Sequence, residues 1–127
     1  MNILLVDDKK TILSTLSTFL GSQGCVVTTA LNGLSGFEKT HQYDFDLFII
    51  DHLMPVMDGI QLIKRLKQKE KLSSIPIIFM STQDMQSISY LKESNIVDAV
   101  ITKPIDYSQL ASLINNYAPK NTLNLSL

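Results

Sequence analysis

The amino-acid sequence predicts an α/β fold in which helices cover a parallel sheet of five strands. Five short apolar runs alternate with longer segments whose apolar residues recur at helical spacing, and this alternation is typical of parallel sheets with right-handed crossovers. Apolar residues make up 45% of the 127 residues, which suits an ordinary core and argues against disorder. The chain has no internal repeat and no long linker, so we expect one domain.

The predicted strands are short apolar or β-branched runs. The first and third hold four consecutive apolar residues, a pattern typical of strands that are buried on both faces. The second is rich in β-branched residues, and the fourth tolerates Pro76 because this proline lies near its start. The five predicted strands are residues 3–6, 25–29, 47–50, 75–80 and 96–102.

The first two predicted helices follow the first two strands. One apolar stripe runs through residues 12–20, and glycines mark the end of this helix. The second helix is short and begins near Gly33. We expect Leu34 and Phe37 on its inner face.

Three further helices complete the predicted alternation. Residues 60–66 form the third, whose basic outer face we interpret as solvated surface. Residues 84–95 have apolar positions at helical spacing, but their serines lower the helix propensity. The last apolar stripe covers residues 110–117, and a proline stops it soon afterwards. We therefore assign residues 1–118 to the domain and residues 119–127 to a short polar C-terminal tail that frays.

Charge and composition exclude several classes of function. Eleven basic and twelve acidic residues give a formal net charge of −1, which argues against a nucleic-acid binder and against a polybasic membrane-surface domain. The single cysteine, Cys25, excludes an intramolecular disulfide and a cysteine-built metal site. Asp7 and Asp8 interrupt the N-terminal apolar run, and no run approaches the length of a bilayer span. We therefore expect a cytoplasmic protein.

Polar side chains follow four of the predicted strands at the point where each strand ends. The carboxyl ends of parallel strands meet at one edge of a sheet, so we expect these side chains to lie close together. Five strands can be wound in the order 2-1-3-4-5, which places the ends of strands 1 and 3 beside the switch point where ligands bind. The residues at these ends are Asp7, Asp8, Asp51, Ser81, Thr82 and Lys103.

Three carboxylates at one edge need a physical explanation. Taken singly, Asp8 suits a helix cap and Asp51 suits a turn. Taken together, each like-charge pair at about 4 Å costs roughly 1 kcal/mol in water and about 4 kcal/mol at an effective dielectric of about 20. A divalent cation removes this repulsion. Oxygen ligands without cysteine favour Mg²⁺, with Mn²⁺ as the alternative.

The same edge carries the groups that phosphoryl transfer requires. Asp51 lies at its centre and is the candidate nucleophile, because an aspartate can carry a phosphoryl group as an acyl phosphate. Lys103 supplies a positive charge and Ser81 a hydroxyl for the phosphate oxygens. The pattern therefore indicates phosphoryl transfer, which depends mainly on positioning and charge neutralisation.

Four segments, residues 3–8, 49–59, 75–81 and 102–104, resemble the receiver domain of bacterial two-component response regulators. The resemblance covers residues 2–117 and implies the flavodoxin-like receiver fold with strand order 2-1-3-4-5. It implies a signalling phosphoacceptor that is not an enzyme but participates in its own phosphotransfer and autodephosphorylation. The length leaves no room for an attached effector, so we expect a single-domain receiver.

The resemblance also assigns roles to the residues at the strand ends. It implies that Asp51 accepts phosphate from the phosphohistidine of a histidine kinase or of a histidine phosphotransfer protein. It implies that Asp7, Asp8 and Asp51 bind Mg²⁺, with Asp8 as a direct ligand. The backbone carbonyl of Leu53 is implied to complete this metal site.

The resemblance further describes a switch. Ser81 and Lys103 would contact the phosphoryl group, and the peptide bond between Lys103 and Pro104 would be cis. Phosphorylation would draw Ser81 toward the phosphate and move residues 84–95, which changes contacts with a downstream protein target. The fourth helix, fifth strand and fifth helix form the family's usual output face and would also offer a homodimer contact. Val100 departs from the family, which often has an inward-swinging Tyr or Phe there.

Three other possibilities fit the sequence less well. A haloacid-dehalogenase-type phosphatase needs a second acid two residues after its nucleophile, where this chain has Leu53. A flavodoxin-like redox carrier needs a Ser/Thr/Gly-rich phosphate loop after the first strand, where this chain has two acids. A degenerate receiver that only binds partners is disfavoured by the intact set of acids. We interpret His52, beside the candidate nucleophile, as an ordinary loop histidine.

Overall fold

The computed structural model describes residues 1–119 of the chain, so most of the predicted polar tail lies outside the described residues. A five-stranded parallel sheet forms its centre, in the order β2-β1-β3-β4-β5. The predicted α/β class and strand order are therefore confirmed. The strands are β1 (Asn2–Val6), β2 (Val26–Ala30), β3 (Leu47–Asp51), β4 (Ile77–Ser81) and β5 (Ala99–Thr102).

Helices cover both faces of the sheet. Four of them begin at a side chain that accepts a backbone N–H, as polar N-cap residues do. In residues 1–119, no helix is both long enough and apolar enough to cross a membrane. The helices of the described residues are α1 (Lys10–Ser22), α2 (Gly33–Lys39), α3 (Gly59–Lys67), α4 (Glu70–Ser73), α5 (Met85–Ile88), α6 (Tyr90–Glu93) and α7 (Tyr107–Tyr117).

The core consists of two apolar layers, one on each face of the sheet. Successive residues of a strand point to opposite faces, and β3 contributes to both layers. Phe48 and Ile50 pack with α2 and α3, whereas Leu47 and Ile49 pack with α1 and α7. All four side chains are completely buried. The continuous apolar run in β3 is thus explained by burial on both sides.

Two helical segments differ from the prediction. The single helix expected over residues 84–95 is divided into α5 and α6, in keeping with the low helix propensity of its serines. At its start, Met85 is exposed rather than part of the core. The short helix α4 is absent from the prediction because none of its residues is buried, so it has no apolar stripe.

The inner face of α2 also differs from the prediction. Phe37 is buried, but Leu34 is 40% exposed. The buried face instead carries Gly33 and Gly36, and a Cβ atom added at Gly36 would lie 2.9 Å from Cγ2 of Val6. Helix α2 approaches β1 so closely that this face holds glycines, and the leucine side chain turns outward.

Candidate functional site

Three carboxylates lie at the carboxyl edge of the sheet. Strand β1 leads into Asp7 and Asp8, and the neighbouring strand β3 ends at Asp51. Each residue offers a carboxylate oxygen, and these oxygens all lie within 4.8 Å of one another. Asp7 is completely buried and Asp51 nearly so. The structure thus brings together the three acids that the strand pattern predicts at one edge.

Lys103 links two of these acids. It follows β5, two strands away from β3 in the sheet. Its Nζ atom lies 2.8 Å from Oδ2 of Asp7 and 3.0 Å from Oδ1 of Asp51. Only 10% of the lysine side chain is exposed. The peptide bond to Pro104 is cis, as the resemblance implied.

Two buried carboxylate oxygens have no hydrogen-bond partner among the described residues: Oδ1 of Asp8 and Oδ2 of Asp51. The Nζ atom of Lys9 is 3.6 Å from that Asp8 oxygen, which is too far for a hydrogen bond. Buried oxygens of this kind are costly when they have no partner. The donor set consists of oxygens alone, and it fits a hard divalent cation such as Mg²⁺.

At both Asp51 and Lys103, burial and the hydrogen bonds of Lys103 shift the pKa in opposite directions. Burial raises the pKa of Asp51, and the nearby Asp7 charge raises it further, while the hydrogen bond from Lys103 partly offsets both effects. Burial lowers the pKa of Lys103, but its hydrogen bonds to Asp7 and Asp51 outweigh burial and raise this pKa overall. The lysine is therefore held in its charged form between the two acids.

The loop after β3 holds the Asp51 backbone in place. Asp58 caps α3 by accepting from Gln61 N–H, and the Gln61 side chain accepts from Asp58 N–H in return. Gly59, the first residue of α3, donates its N–H to the His52 carbonyl at 2.8 Å. A Cβ atom at Gly59 would collide with the carbonyl oxygen of Asp51. Only glycine permits this close approach of α3 to the end of β3.

Ser81, at the end of β4, contacts a residue to which the sequence analysis gave no role. Its side chain is completely buried, and its Oγ accepts from the backbone N–H of Gln83 at 3.0 Å. The Nδ1 atom of His52 lies 2.9 Å from the same Oγ. The His52 ring also packs against Phe79, with ring centroids 5.0 Å apart. The sequence does contain a signal for this contact. His52 directly follows Asp51, at the end of a strand that the predicted order places beside the strand ending at Ser81.

Leu53 and Val100 differ in how far their side chains are exposed. The Leu53 side chain is 55% exposed, so any role in the site belongs to its backbone. Val100 is buried in β5, where it joins the apolar layer shared with α5 and α6. In this position the valine contributes packing.

A family model described as the response regulator receiver domain matches residues 3–115, nearly the whole described chain. The chain belongs to this family. The match confirms the resemblance on which the sequence analysis relied.

Curated relatives of this receiver domain include both longer and similarly sized proteins. The chain is 30% identical to protein PilG of Pseudomonas aeruginosa over 124 residues, which is 96% of this chain and 90% of PilG. It is 36% identical to the probable transcriptional regulator ycf29 of Porphyra purpurea, over 97% of this chain and 59% of that protein. The receiver domain thus spans little more than half the length of the ycf29 relative.

Solved structures of receivers share the fold. Chemotaxis protein CheY4 of Vibrio cholerae superposes with a TM-score of 0.84 at 25% identity, over 92% of this chain and 98% of CheY4. Response regulator TrrA of Thermotoga maritima, solved in complex with Mg²⁺ and BeF, gives a TM-score of 0.81 at 26% identity. That match covers 92% of this chain and 98% of TrrA. The receiver domain therefore has the CheY-like architecture.

Proposed function

We propose that this receiver domain is a Mg²⁺-dependent phosphoacceptor whose phosphorylated residue is Asp51. The observation that carries the proposal is the ion-pair geometry of Lys103, whose Nζ atom lies 2.8 Å from Asp7 and 3.0 Å from Asp51. Two carboxylate oxygens of the same site have no hydrogen-bond partner within residues 1–119. A phosphoryl group needs a nucleophile, a cation and a positive side chain in one place. Asp51 can supply the nucleophile and Lys103 the positive side chain, and the acids can hold the cation.

The chemistry assigns one task to each residue. A carboxylate oxygen of Asp51 attacks the phosphorus of a phosphohistidine. The new O–P bond forms as the P–N bond breaks, and the electron pair of the P–N bond stays on the imidazole. Lys103 then pairs with a phosphoryl oxygen, and the Ser81 hydroxyl donates to another. Water then attacks the phosphorus of the acyl phosphate, the O–P bond to Asp51 breaks, and inorganic phosphate leaves with Asp51 restored as a free carboxylate.

Asp7, Asp8, Asp51 and the backbone carbonyl of Leu53 would hold the Mg²⁺ ion. When bound, this cation neutralises charge on the phosphoryl oxygens and on the acids. Mn²⁺ can replace it, because the ligands are all oxygens. TrrA, which shares the fold, was solved in complex with Mg²⁺ and BeF, and this supports Mg²⁺ as the ion of the site.

The partners follow from the proposed chemistry. The phosphate donor is a histidine kinase or a histidine phosphotransfer protein, and the transfer takes place in the cytoplasm. The phosphorylated form contacts a downstream protein rather than nucleic acid or a membrane. The surface formed by α5, α6, β5 and α7 is our candidate for this contact and for a homodimer.

Intact mass after incubation with acetyl phosphate and Mg²⁺ tests the proposal. We expect a gain of one phosphoryl group, because acetyl phosphate is a small acyl-phosphate donor. Asp51→Asn is expected to abolish the gain. Asp44→Asn is the control, since this surface acid is 85% exposed. A gain that persists in Asp51→Asn would place the modified residue elsewhere, and no gain in the unmodified chain would favour a degenerate receiver.

A further inference from the structure

We propose that His52 is a positioning residue that holds the Ser81 hydroxyl away from the phosphoryl site and thereby weakens phosphoryl binding. The inference rests on the proposed function, because it concerns the hydroxyl that would donate to phosphorylated Asp51. It gives a role to a side chain that the phosphotransfer chemistry does not use. Its basis is the 2.9 Å contact between Nδ1 of His52 and Oγ of Ser81.

The backbone of His52 is fixed on both sides. Its N–H donates to the Met80 carbonyl at 2.9 Å, which extends the ladder between β3 and β4. Its carbonyl accepts from the Gly59 N–H at 2.8 Å. The ring lies against Phe79, which is completely buried. With the backbone held and one side of the ring packed, Nδ1 is kept facing Ser81.

Hydrogen-bond accounting sets the direction of the Ser81–His52 bond. A serine hydroxyl has one hydrogen to donate and two lone pairs to accept with. The Gln83 N–H occupies one lone pair of Oγ. Among the described residues, Nδ1 of His52 is the one remaining partner of this buried oxygen. Buried donors are normally satisfied, so Ser81 donates to Nδ1, and the imidazole proton is carried by Nε2.

This direction creates a competition. A phosphoryl oxygen on Asp51 requires the same single hydrogen that Ser81 gives to His52. Ser81 therefore has to leave Nδ1 before it can donate to the phosphoryl group, and this exchange reduces the gain from phosphoryl binding. Net hydrogen-bond contributions of this type correspond to a roughly two- to tenfold change in affinity. The opposite tautomer would leave the Ser81 hydrogen free and make His52 a helper rather than a competitor.

Two substitutions of His52 separate the hydrogen bond from the packing. His52→Phe keeps a ring against Phe79 but removes the acceptor. His52→Asn loses the ring but keeps an acceptor oxygen near the position of Nδ1. The probe is beryllofluoride, titrated calorimetrically at saturating Mg²⁺. We expect His52→Phe to bind it roughly two- to tenfold more tightly than the unmodified chain, and His52→Asn to bind it with nearly unchanged affinity.

Equal or weaker binding by His52→Phe would overturn the inference, and so would tighter binding by both variants, which would implicate packing. If the unmodified chain does not bind beryllofluoride at all, the proposed function fails together with the inference. If the unmodified chain binds beryllofluoride but substitution of His52 leaves the affinity unchanged, only the inference fails. Melting curves without Mg²⁺ show that each variant is folded.

Nitrogen NMR of the imidazoles gives a second measurement that does not depend on substitutions at residue 52. The chain has two histidines, and His41→Gln assigns their signals. At about pH 8 we expect the Nε2–H tautomer of His52 with Nδ1 as acceptor. Beryllofluoride with Mg²⁺ is expected to shift the Nδ1 signal as its hydrogen bond is lost. An Nδ1–H tautomer in the free protein would refute the inference.

Discussion

At the scale of single residues, Lys103 is the group on which the charge balance of the site depends. Its Nζ atom lies between two buried carboxylates. Buried charges are tolerated when they are paired, and removal of one partner leaves the others uncompensated. A surface pair of similar geometry, Lys71 with Asp44 at 3.1 Å, has both side chains more than four-fifths exposed and is screened by water. The two lysines therefore differ in environment rather than in distance.

Lys103→Gln is expected to lower the free energy of unfolding by about 3–5 kcal/mol at neutral pH without Mg²⁺, because Asp7 and Asp51 lose their partner. The pKa of Lys103 is raised in the folded state. Its contribution is therefore complete below the ordinary lysine pKa and is lost as the pH rises through the raised value. Urea unfolding over a pH series measures both effects. Lys71→Gln is the control, and an equal loss in both variants would contradict this account.

At the scale of secondary-structure elements, the loops after the strands determine where the functional side chains lie. Helix α3 begins directly against the Asp51 carbonyl, and the segment after Ser81 contains only two short helices. The contact between α3 and the Asp51 carbonyl is tight. The segment after Ser81, in contrast, has few helical turns and few buried side chains. We therefore expect the α3 end of the site to be rigid and residues 81–95 to be the compliant part.

Gly59→Ala is expected to destabilise the protein by about 1–3 kcal/mol, because its Cβ would displace the Asp51 backbone. The same displacement should reduce phosphorylation of Asp51 by acetyl phosphate. Gly21→Ala is the matched control, because this glycine lies in α1. Apart from its chain neighbours and the backbone of its own helix, no atom of the described residues lies within 4 Å of a Cβ added there. Alanine there should stabilise the helix by up to about 1 kcal/mol. Thermal unfolding and intact mass measure these outcomes, and a harmless Gly59→Ala would show that α3 can move away.

Amide hydrogen exchange over residues 81–95 tests the compliant segment. With beryllofluoride and Mg²⁺, Ser81 would be drawn to the new acceptor oxygens, so the exchange rates of this segment should change relative to the free protein. Strand β3 is completely buried along Leu47–Ile50 and serves as the internal reference, with little change expected. Identical exchange in 81–95 with and without the mimic would reject the switch.

At the scale of the whole molecule, the burial of the Asp51 charge beside Asp7 opposes folding. The raised pKa of Asp51 means that its charged form is less favourable in the folded chain than in water. Because β1 and β3 are central strands of the sheet, the repulsion between their ends bears on the global fold. A cation that binds only the folded state stabilises the entire domain.

Mg²⁺ is therefore expected to raise the free energy of unfolding by about 2.7 kcal/mol when its concentration is about a hundredfold above Kd. Asp51→Asn should lose most of this gain, since it removes one of the carboxylate ligands. Asp44→Asn should retain it. Thermal melts across a Mg²⁺ series provide the comparison, and an undiminished gain in Asp51→Asn would place the cation elsewhere.

The sequence by itself determined the alternation of strands and helices, the two-sided burial of β3 and the acids at the strand ends. These features follow from local composition and periodicity, which depend only on residues that are near one another in the sequence. The resemblance to the receiver family supported the strand order. It also implied the cis bond before Pro104 and the role of the Leu53 carbonyl. Helix α4 and the outward turn of Leu34 show where local patterns fail, because packing against neighbouring elements decides those positions.

Only the tertiary structure decided how the functional groups meet. Lys103 reaches Asp7 across 96 positions of sequence, and His52 reaches Ser81 across 29. Such contacts depend on the separation of strands and on the orientation of single side chains, which no local pattern specifies. The structure therefore supplied the His52–Ser81 bond and the two carboxylate oxygens that lack a partner in the described part of the chain, because each depends on atoms brought together by the sheet.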